Sequence, residues 1–457
     1  MNEALASFLS ANQESHLNEL LDLLRIPSVS TDIEYARNVR TAAIFIQEKL
    51  GELGFETKLI ETDKHPAVFA NYKVSAALPT VLIYGHYDVQ PADPLELWNS
   101  PPFEPVVKDG LILARGSSDD KGQVYAHIKG VESLIKTTGT LPVNVSFIIE
   151  GEEEIGSPNL PKLINDYKSE LTADIVLISD SSMLAANTPT ITYGLKGLSY
   201  VEVTLKAANR DLHSGAYGGG VPNPINILSR MIASLHDEDG KVTVPGFYDD
   251  VIDITLQEKE AFANTPFDAK AFAGEIGLTH TPGEAGYTLL ERLWARPTLD
   301  VNGIKGGYQG EGAKTVIASE ASAKISCRIV PNQVSDDITK KLGDYLRELA
   351  PAGVTVEIED LHGGMPALTP IDSEAVQLAA EALEQAYGQP AVFARTGGSI
   401  PIVTTFQQIL NADVVLVGFG LEDDRVHSPN EKFNLENYFT GIRSSALMLK
   451  AFAGFNS

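Results

Sequence analysis

His86 and Asp88 stand on alternate positions immediately after the apolar run Val81-Leu82-Ile83-Tyr84 and a break at Gly85. Further on, Gly116-Ser117-Ser118-Asp119-Asp120-Lys121-Gly122 sets two adjacent carboxylates among small residues. Imidazole and carboxylate together at a strand end suit a borderline-soft divalent cation. Alone, a His-x-Asp pair after a strand is more often a capped turn than a pair of ligands, so the reading depends on matching groups elsewhere. Three further apolar runs supply them. Residues 143–149 lead into Glu150-Gly151-Glu152-Glu153-Glu154-Ile155-Gly156-Ser157, and residues 175–178 end in Ser179-Asp180. Residues 414–417 are followed by Gly418 and, beyond a loop, by His427-Ser428-Pro429. Four strand ends carrying His, Asp and Glu point to one centre.

The elements that must position these groups alternate in kind. Leu17, Leu20, Leu21 and Leu24 recur at helical spacing before Ile26-Pro27, and Tyr35, Val39, Ala42, Ala43, Ile46 and Leu50 form a second apolar helix face. A further helix is expected from Gly122 to about Lys136. Continuous apolar runs separated by helices predict an α/β domain around a mainly parallel sheet buried on both faces. Ligands in such sheets sit beyond the carboxyl ends of the strands. The middle of the chain reads differently. Residues 198–205 and 321–329 alternate with period two, with Ala321, Ala323, Ile325, Cys327 and Ile329 on one face and Ser322, Lys324, Ser326 and Arg328 on the other. A helix with Ile338, Leu342, Tyr345, Leu346 and Leu349 on one stripe follows, then a strand with Val354, Val356 and Ile358. The expected organisation is a catalytic domain in two pieces, residues 1–195 and 371–457, with a smaller α/β sandwich inserted at 196–370.

Composition narrows the function. At 457 residues the chain is too long for one core, and its 43% hydrophobic and 21% charged content is that of an ordinary globular protein. Lys plus Arg number 35 against 61 Asp plus Glu, a formal charge of −26 that disfavours nucleic acid and anionic lipid as partners. The single cysteine, Cys327, excludes an intrachain disulfide and a cysteine-based zinc site, so any metal falls to His, Asp and Glu. The N-terminal MNEALASFLSANQESHLNELL lacks the apolar core of a signal peptide, and no run approaches the roughly 18 apolar residues of a membrane span. A cytoplasmic protein is expected.

Read together, the segments GHYDVQP, WNSPPFEP, RGSSDDKG, EGEEEIGS, ITYGLKG, DLHSGAYGG, GAKTVI, RIVPN, TGGSIPI and VHSPNEKF resemble, in order, the M20 metallopeptidases, most closely the cytosolic non-specific and carnosinase-type dipeptidases. They span about residues 20 to 450. The resemblance implies a zinc-exopeptidase type of catalytic domain, with a lid and dimerisation domain inserted. It implies His86, Asp119 and Asp180 around one metal and Asp119, Glu154 and His427 around another, with a cis Asp119–Asp120 peptide. Asp88 would accept the other ring N–H of His86 and raise its basicity. The family spacing Glu-Glu-x-Gly-Ser, set by Ile155-Gly156-Ser157, makes Glu153 the general base and Glu154 the ligand, leaving Glu152 as an extra solvated charge. Two divalent ions lower the pKa of a shared water, the nucleophile, and polarise the scissile carbonyl. Zinc is the expected pair, with manganese or cobalt as alternatives.

The same resemblance makes His213 the donor to the tetrahedral oxyanion, reaching the site of a partner subunit in a homodimer. Arg328, Thr315, Gly398 and Ser399 would meet a substrate carboxylate, the guanidinium bidentately, and His362 is a weaker candidate contact. Relatives of carnosinase type carry an acidic residue before Gly-Gly-Ser; Thr396 stands there instead, which bears on recognition of a free α-amino group. His16, His65, His127, His236 and His280 match no motif and read as structural or surface residues, and Trp98 and Trp294 as packing. The leading expectation is a two-metal dipeptidase of broad specificity for dipeptides and short peptides. Its rivals are an N-acyl-amino-acid deacylase or carboxypeptidase of the same family and, from another class, a non-catalytic binding protein on the same fold.

Overall fold

A computed structural model describes residues 3–398 and 400–455. The chain divides into two units, one of residues 1–193, 369–394 and 402–457, the other of 194–368 and 395–401.

The first unit is built on strands β1 (Glu56–Ile60), β2 (Ala67–Tyr72), β3 (Thr80–His86), β4 (Asn144–Glu150), β5 (Ile175–Ile178), β6 (Thr190–Leu195) and β7 (Asp413–Val417). Their order in the sheet is β1-β2-β4-β3-β5-β7-β6. The four central strands β4, β3, β5 and β7 run parallel, and antiparallel strands flank them on both sides. Parallel strands covered by helices on both faces must be apolar throughout, and every residue of β4 and β5 is buried. The mainly parallel sheet is thus as the apolar runs predict, and so are the helices Gln13–Leu24, Ala36–Glu52 and Lys121–Thr138. Leu20, Ala43, Ile46, Val124, Ile128, Val131 and the C-terminal helix residues Tyr438, Ile442 and Leu449 pack into one core with the sheet.

Two features bring the third helix close to the strand ends. Gly85 leaves room for it: a Cβ there would lie 2.6 Å from Asp120 Oδ2 and 2.8 Å from Val124. Lys121 is fully buried and donates to the carbonyl oxygens of Leu23 (3.3 Å) and Ile26 (2.6 Å), at and just beyond the end of the Gln13–Leu24 helix. Burial pushes this ammonium down to about 7, against the raising effect of Glu431 and Asp88.

The second unit carries a four-stranded antiparallel sheet in the order Thr298–Gly306, Glu320–Ile329, Gly197–Lys206, Thr355–Gly364. Helices Pro224–Ala233 and Ser335–Leu349 supply Ile227, Leu228, Met231, Ile338, Leu342 and Leu346 to its core, against Val201, Val203, Leu205, Ile325, Cys327 and Ile329. The period-two strands therefore bury the face that the sequence marked apolar. Trp294 packs edge-on against Phe262, with ring centroids 5.2 Å apart. Among the described residues no helix is long and apolar enough to cross a membrane.

Candidate active site

The carboxyl ends of β3, β4, β5 and β7 deliver the candidate groups of the first unit to one place. His86 closes β3 and is fully buried. Its main-chain N–H donates to Asp120 Oδ2 (3.2 Å), and its Nδ1 lies 3.1 Å from the main-chain oxygen of Asp88 and 3.5 Å from that residue's carboxylate. The Asp119–Asp120 peptide is cis. Beyond β4 a single 3-10 turn, Glu153–Ile155, presents two glutamates in succession. Asp88 fixes that turn: its Oδ1 accepts from Glu153 N (3.3 Å) and its Oδ2 from Glu154 N (3.1 Å). Asp180 lies two residues past the end of β5, and His427 lies in the loop after β7 with its backbone in the left-handed region, φ 61°.

Two triads result. His86, Asp119 and Asp180 form one, Asp119, Glu154 and His427 the other, and within each the ligand atoms all lie within 4.8 Å of one another. Asp119 belongs to both. Its Oδ1 is 3.1 Å from His86 Nε2 and its Oδ2 is 2.9 Å from His427 Nε2. His86 Nε2 is also 3.9 Å from Asp180, and His427 Nε2 is 3.4 Å from Glu154.

The electrostatics call for positive charge here. Because a carbonyl oxygen only accepts, the contact with Asp88 places a proton on His86 Nδ1, so a neutral ring turns its Nε2 lone pair toward carboxylates. That buried Nε2 makes no hydrogen bond. Burial alone would lower the His86 pKa; Asp119 and Asp88 outweigh it and raise it well above the ordinary value. Asp119 and Glu154 likewise push His427 up to about 10. The carboxyls suffer the converse. Burial pushes Glu153 up to about 9, His86 opposing and Asp180, Glu154 and Asp119 reinforcing, and burial with Asp119 and Glu154 brings Asp180 to about 6. Packed carboxylates with an orphaned imidazole nitrogen among them need protons or cations to be stable. The donor set, imidazole and carboxylate without thiolate, fits a pair of borderline divalent ions.

The remaining candidates lie in the second unit. His213 is exposed on a two-residue strand paired with Val316–Ile317, and Thr315 next to that pair accepts from Ser214 N (3.1 Å). Gly215 N donates to His213 Nδ1 (3.0 Å), so the neutral ring carries its proton on Nε2. Arg328 is half-buried on the polar face of its strand, between Thr298 and Leu198. His362 is exposed and meets the Tyr200 ring edge-on at 5.2 Å. Gly398 N reaches Thr396 Oγ1 at 3.3 Å, and Ser399 lies outside the described residues.

One expectation is corrected. Glu152 is not a solvated charge: it is buried, accepting from Thr62 Oγ1, His65 N (2.9 Å) and Asn159 Nδ2 (2.8 Å). These donors come from two separate segments, the loop at residues 62–65 and Asn159, which holds the glutamate turn against its neighbours. Two supporting residues escaped the sequence reading although they lie in quoted segments. Gln90 grips Glu154 from both sides, N to Oε1 at 3.1 Å and Nε2 to Oε2 at 2.7 Å. Glu431 is fully buried against the loop that carries Asp119. Of the unassigned histidines, His127 is buried between Ser179 (2.7 Å) and Ser445 (2.9 Å), and His236 and His280 are exposed.

A parallel-sheet domain whose strand ends gather two imidazoles and two further carboxylates around one shared aspartate is a metal-dependent hydrolase in type. The peptidase family M20/M25/M40 model matches residues 82–451, and the chain belongs to that family. It is 31% identical over 457 residues to Cys-Gly metallodipeptidase dug1 of Schizosaccharomyces pombe, covering 96% of each chain. It is 34% identical over 384 residues to the human Beta-Ala-His dipeptidase, covering 83% of this chain and 76% of the other. Among solved structures it superimposes on an M20 family metallo-carboxypeptidase from Sulfolobus solfataricus with a TM-score of 0.81 and 32% identity, covering 99% of this chain and 100% of the other.

Proposed function

We propose that this family member hydrolyses dipeptides and short peptides with broad specificity, and that the two triads sharing Asp119 are its cation sites. His86, Asp119 and Asp180 would hold one ion and Asp119, Glu154 and His427 the other. When bound, the ions supply Lewis acidity toward the scissile carbonyl and a water of lowered pKa. Zinc is the ion we favour, with manganese or cobalt compatible with the same ligands.

The chain's own groups do the rest. Glu153, held by Asp88 through its main-chain N–H, takes a proton from the attacking water and returns it to the leaving amine. Its ordinary tendency in this pocket is to stay protonated, and added positive charge next to it favours the ionised base. His213, with its proton on Nε2, donates to the oxyanion, and in our reading it does so in the site of a second subunit, making the active form a homodimer. Arg328, Thr315 and the Gly398-Ser399 turn bind the substrate carboxylate, with His362 beside them. In the same reading the second unit is the lid and dimerisation domain and the protein is cytoplasmic, as its sparing use of cysteine suits.

The single observation that carries the reading is Asp119 with one oxygen toward each histidine. The test is a turnover panel of free dipeptides, N-acetyl amino acids and longer peptides, run on the metal-free protein and after adding Zn²⁺, Mn²⁺ or Co²⁺. Dipeptide cleavage that depends on added ion is expected. Cleavage of blocked substrates alone would favour a deacylase, and of longer peptides from the C-terminus a carboxypeptidase, the activity in the name of the Sulfolobus relative.

A further inference from the structure

His427 is held at a distance by two buried carboxylates that flank it in the chain. Glu431 has no exposed surface and faces four donors, all on residues 115–119. Its Oε1 accepts from Ser118 N (2.9 Å) and Asp119 N (3.1 Å), and its Oε2 from Gly116 N (2.9 Å) and the Arg115 guanidinium (2.7 Å). Asp424, equally buried, accepts from Ser118 Oγ (2.9 Å) and from Leu421 N (2.8 Å). The base of the loop is closed by Lys432 N donating to the Asp424 carbonyl oxygen (3.0 Å).

Between these anchors the backbone is strained. Arg425, His427 and Asn430 all sit in the left-handed region, at φ 58°, 61° and 64°. Residues with a Cβ adopt it at a cost and stay there only when their surroundings over-determine it. His427 itself gives little such support, since its side chain is 56% exposed and its charged neighbours are Asp119 and Glu154. Asn430 is tied to a neighbouring loop, accepting from Asn99 N (2.7 Å) and donating to the Leu97 carbonyl oxygen (2.8 Å), but it is the pair of anchors that seizes the segment that carries Asp119.

We propose that Glu431 and Asp424 are positioning residues that clamp the His427 loop onto the Asp119 loop, so that the Asp119–Glu154–His427 triad is assembled before its cation arrives. This rests on those three residues being ligands, the reading given above. The chemistry requires a carboxylate at 431: four N–H donors converge on two oxygens, and an amide would turn an NH₂ group against them. Released, the strained loop would relax away from Asp119, and the triad containing His427 would lose far more of its geometry than the one that shares only Asp119 with it.

Co²⁺ titration of the metal-free, full-length protein tests this, followed by calorimetry and by visible absorption. His427→Ala and His86→Ala identify which dissociation constant belongs to which triad. Glu431→Gln is expected to weaken the His427 ion roughly 10–100-fold, as loss of a supporting partner does at other metal sites, and the His86 ion by less than about threefold. Asp424→Asn should act in the same direction and stands in if Glu431→Gln does not fold. Adding Arg115→Met to Glu431→Gln removes a buried guanidinium that has lost its carboxylate and keeps only the Pro91 carbonyl oxygen, and should raise the melting temperature of the metal-free protein part of the way back without restoring the His427 constant. An unchanged constant in both single variants would overturn the clamp, as would recovery of affinity in step with melting temperature in the double variant. Unchanged constants in His427→Ala would instead overturn the ligand assignment beneath it.

Discussion

Oδ1 of Asp119 lies 3.1 Å from Nε2 of His86, yet no hydrogen bond joins them. The ring proton is already committed to the Asp88 carbonyl oxygen. Lone pair thus faces carboxylate across a buried gap, an arrangement that only a proton or a cation relieves. The metal-free protein must therefore hold protons that a metal displaces. The directions agree: His86 is raised, and His427 and Glu153 reach about 10 and about 9. Each is a group protonated at neutral pH that metal binding deprotonates, so affinity for Zn²⁺ should rise with pH up to about 10. Calorimetry in buffers of different ionisation enthalpy should show release of about three protons per chain on loading, one from each of these groups. Metal uptake with no proton release would contradict this arrangement.

Glu153 is joined to Asp88 through its main-chain N–H, and its carboxyl is not among either triad. Glu153→Gln should therefore keep both ions while losing the proton relay. We expect kcat to fall by roughly 10²–10⁴, with metal content by elemental analysis unchanged. Turnover near the unsubstituted level would remove Glu153 from the mechanism.

Much of this was legible in the sequence, for a physical reason. Strands buried on both faces must be continuously apolar, so β3, β4, β5 and β7 announce themselves, and the polar residues just past them stand out as candidates. What supports those candidates does not stand out. Glu431 is satisfied largely by main-chain N–H groups, which every residue possesses, so its partners at 116, 118 and 119 leave no trace in side-chain identity. Glu152 looks like the solvated end of a charge run because two of its three donors come from a loop about ninety residues earlier, at 62 and 65, and the third from Asn159. The expectation for Asp88, that it accepts the other ring N–H of His86, does not say which of its oxygens does so. Its carbonyl oxygen is the nearer group, and its carboxylate turns to the glutamate turn instead.

His127 ties the end of β5 to the C-terminal helix, bonding Ser179 and Ser445 with its two nitrogens. Burial pushes its pKa from 6.5 down to about 3. A base depressed on folding leaves the unfolded chain holding the extra proton between those values. Its contribution to stability is therefore complete above pH 6.5 and erodes as pH falls toward 3, at up to ~1.4 kcal/mol per pH unit. His127→Gln cannot charge, so its urea midpoint should fall less steeply from pH 7 to pH 4 than that of the unsubstituted protein. Parallel curves would mean that other groups govern the acid limb.

His213 donates nothing through Nδ1, which accepts from Gly215 N, so its Nε2–H is free for an oxyanion. His213→Ala should lower kcat by roughly 10²–10³ with little change in KM, as loss of an oxyanion donor does elsewhere. Whether the donor serves its own subunit or the partner's is decided by mixing. In a dimer with exchange in trans, a heterodimer of His213→Ala and Glu153→Gln subunits contains one doubly impaired site and one intact site. The intact site pairs Glu153 of the first subunit with His213 of the second. Random reassembly at equal ratio makes half the dimers mixed, so about one quarter of full activity should return from two nearly inactive parents. If the donor acted in cis, every site in the mixture would still lack one of the two groups and no activity would return. The same absence of recovery would follow if the chain were monomeric, which sedimentation of the unsubstituted protein would reveal. Recovery to about a quarter would establish both the dimer and the crossing of His213 into its partner's site.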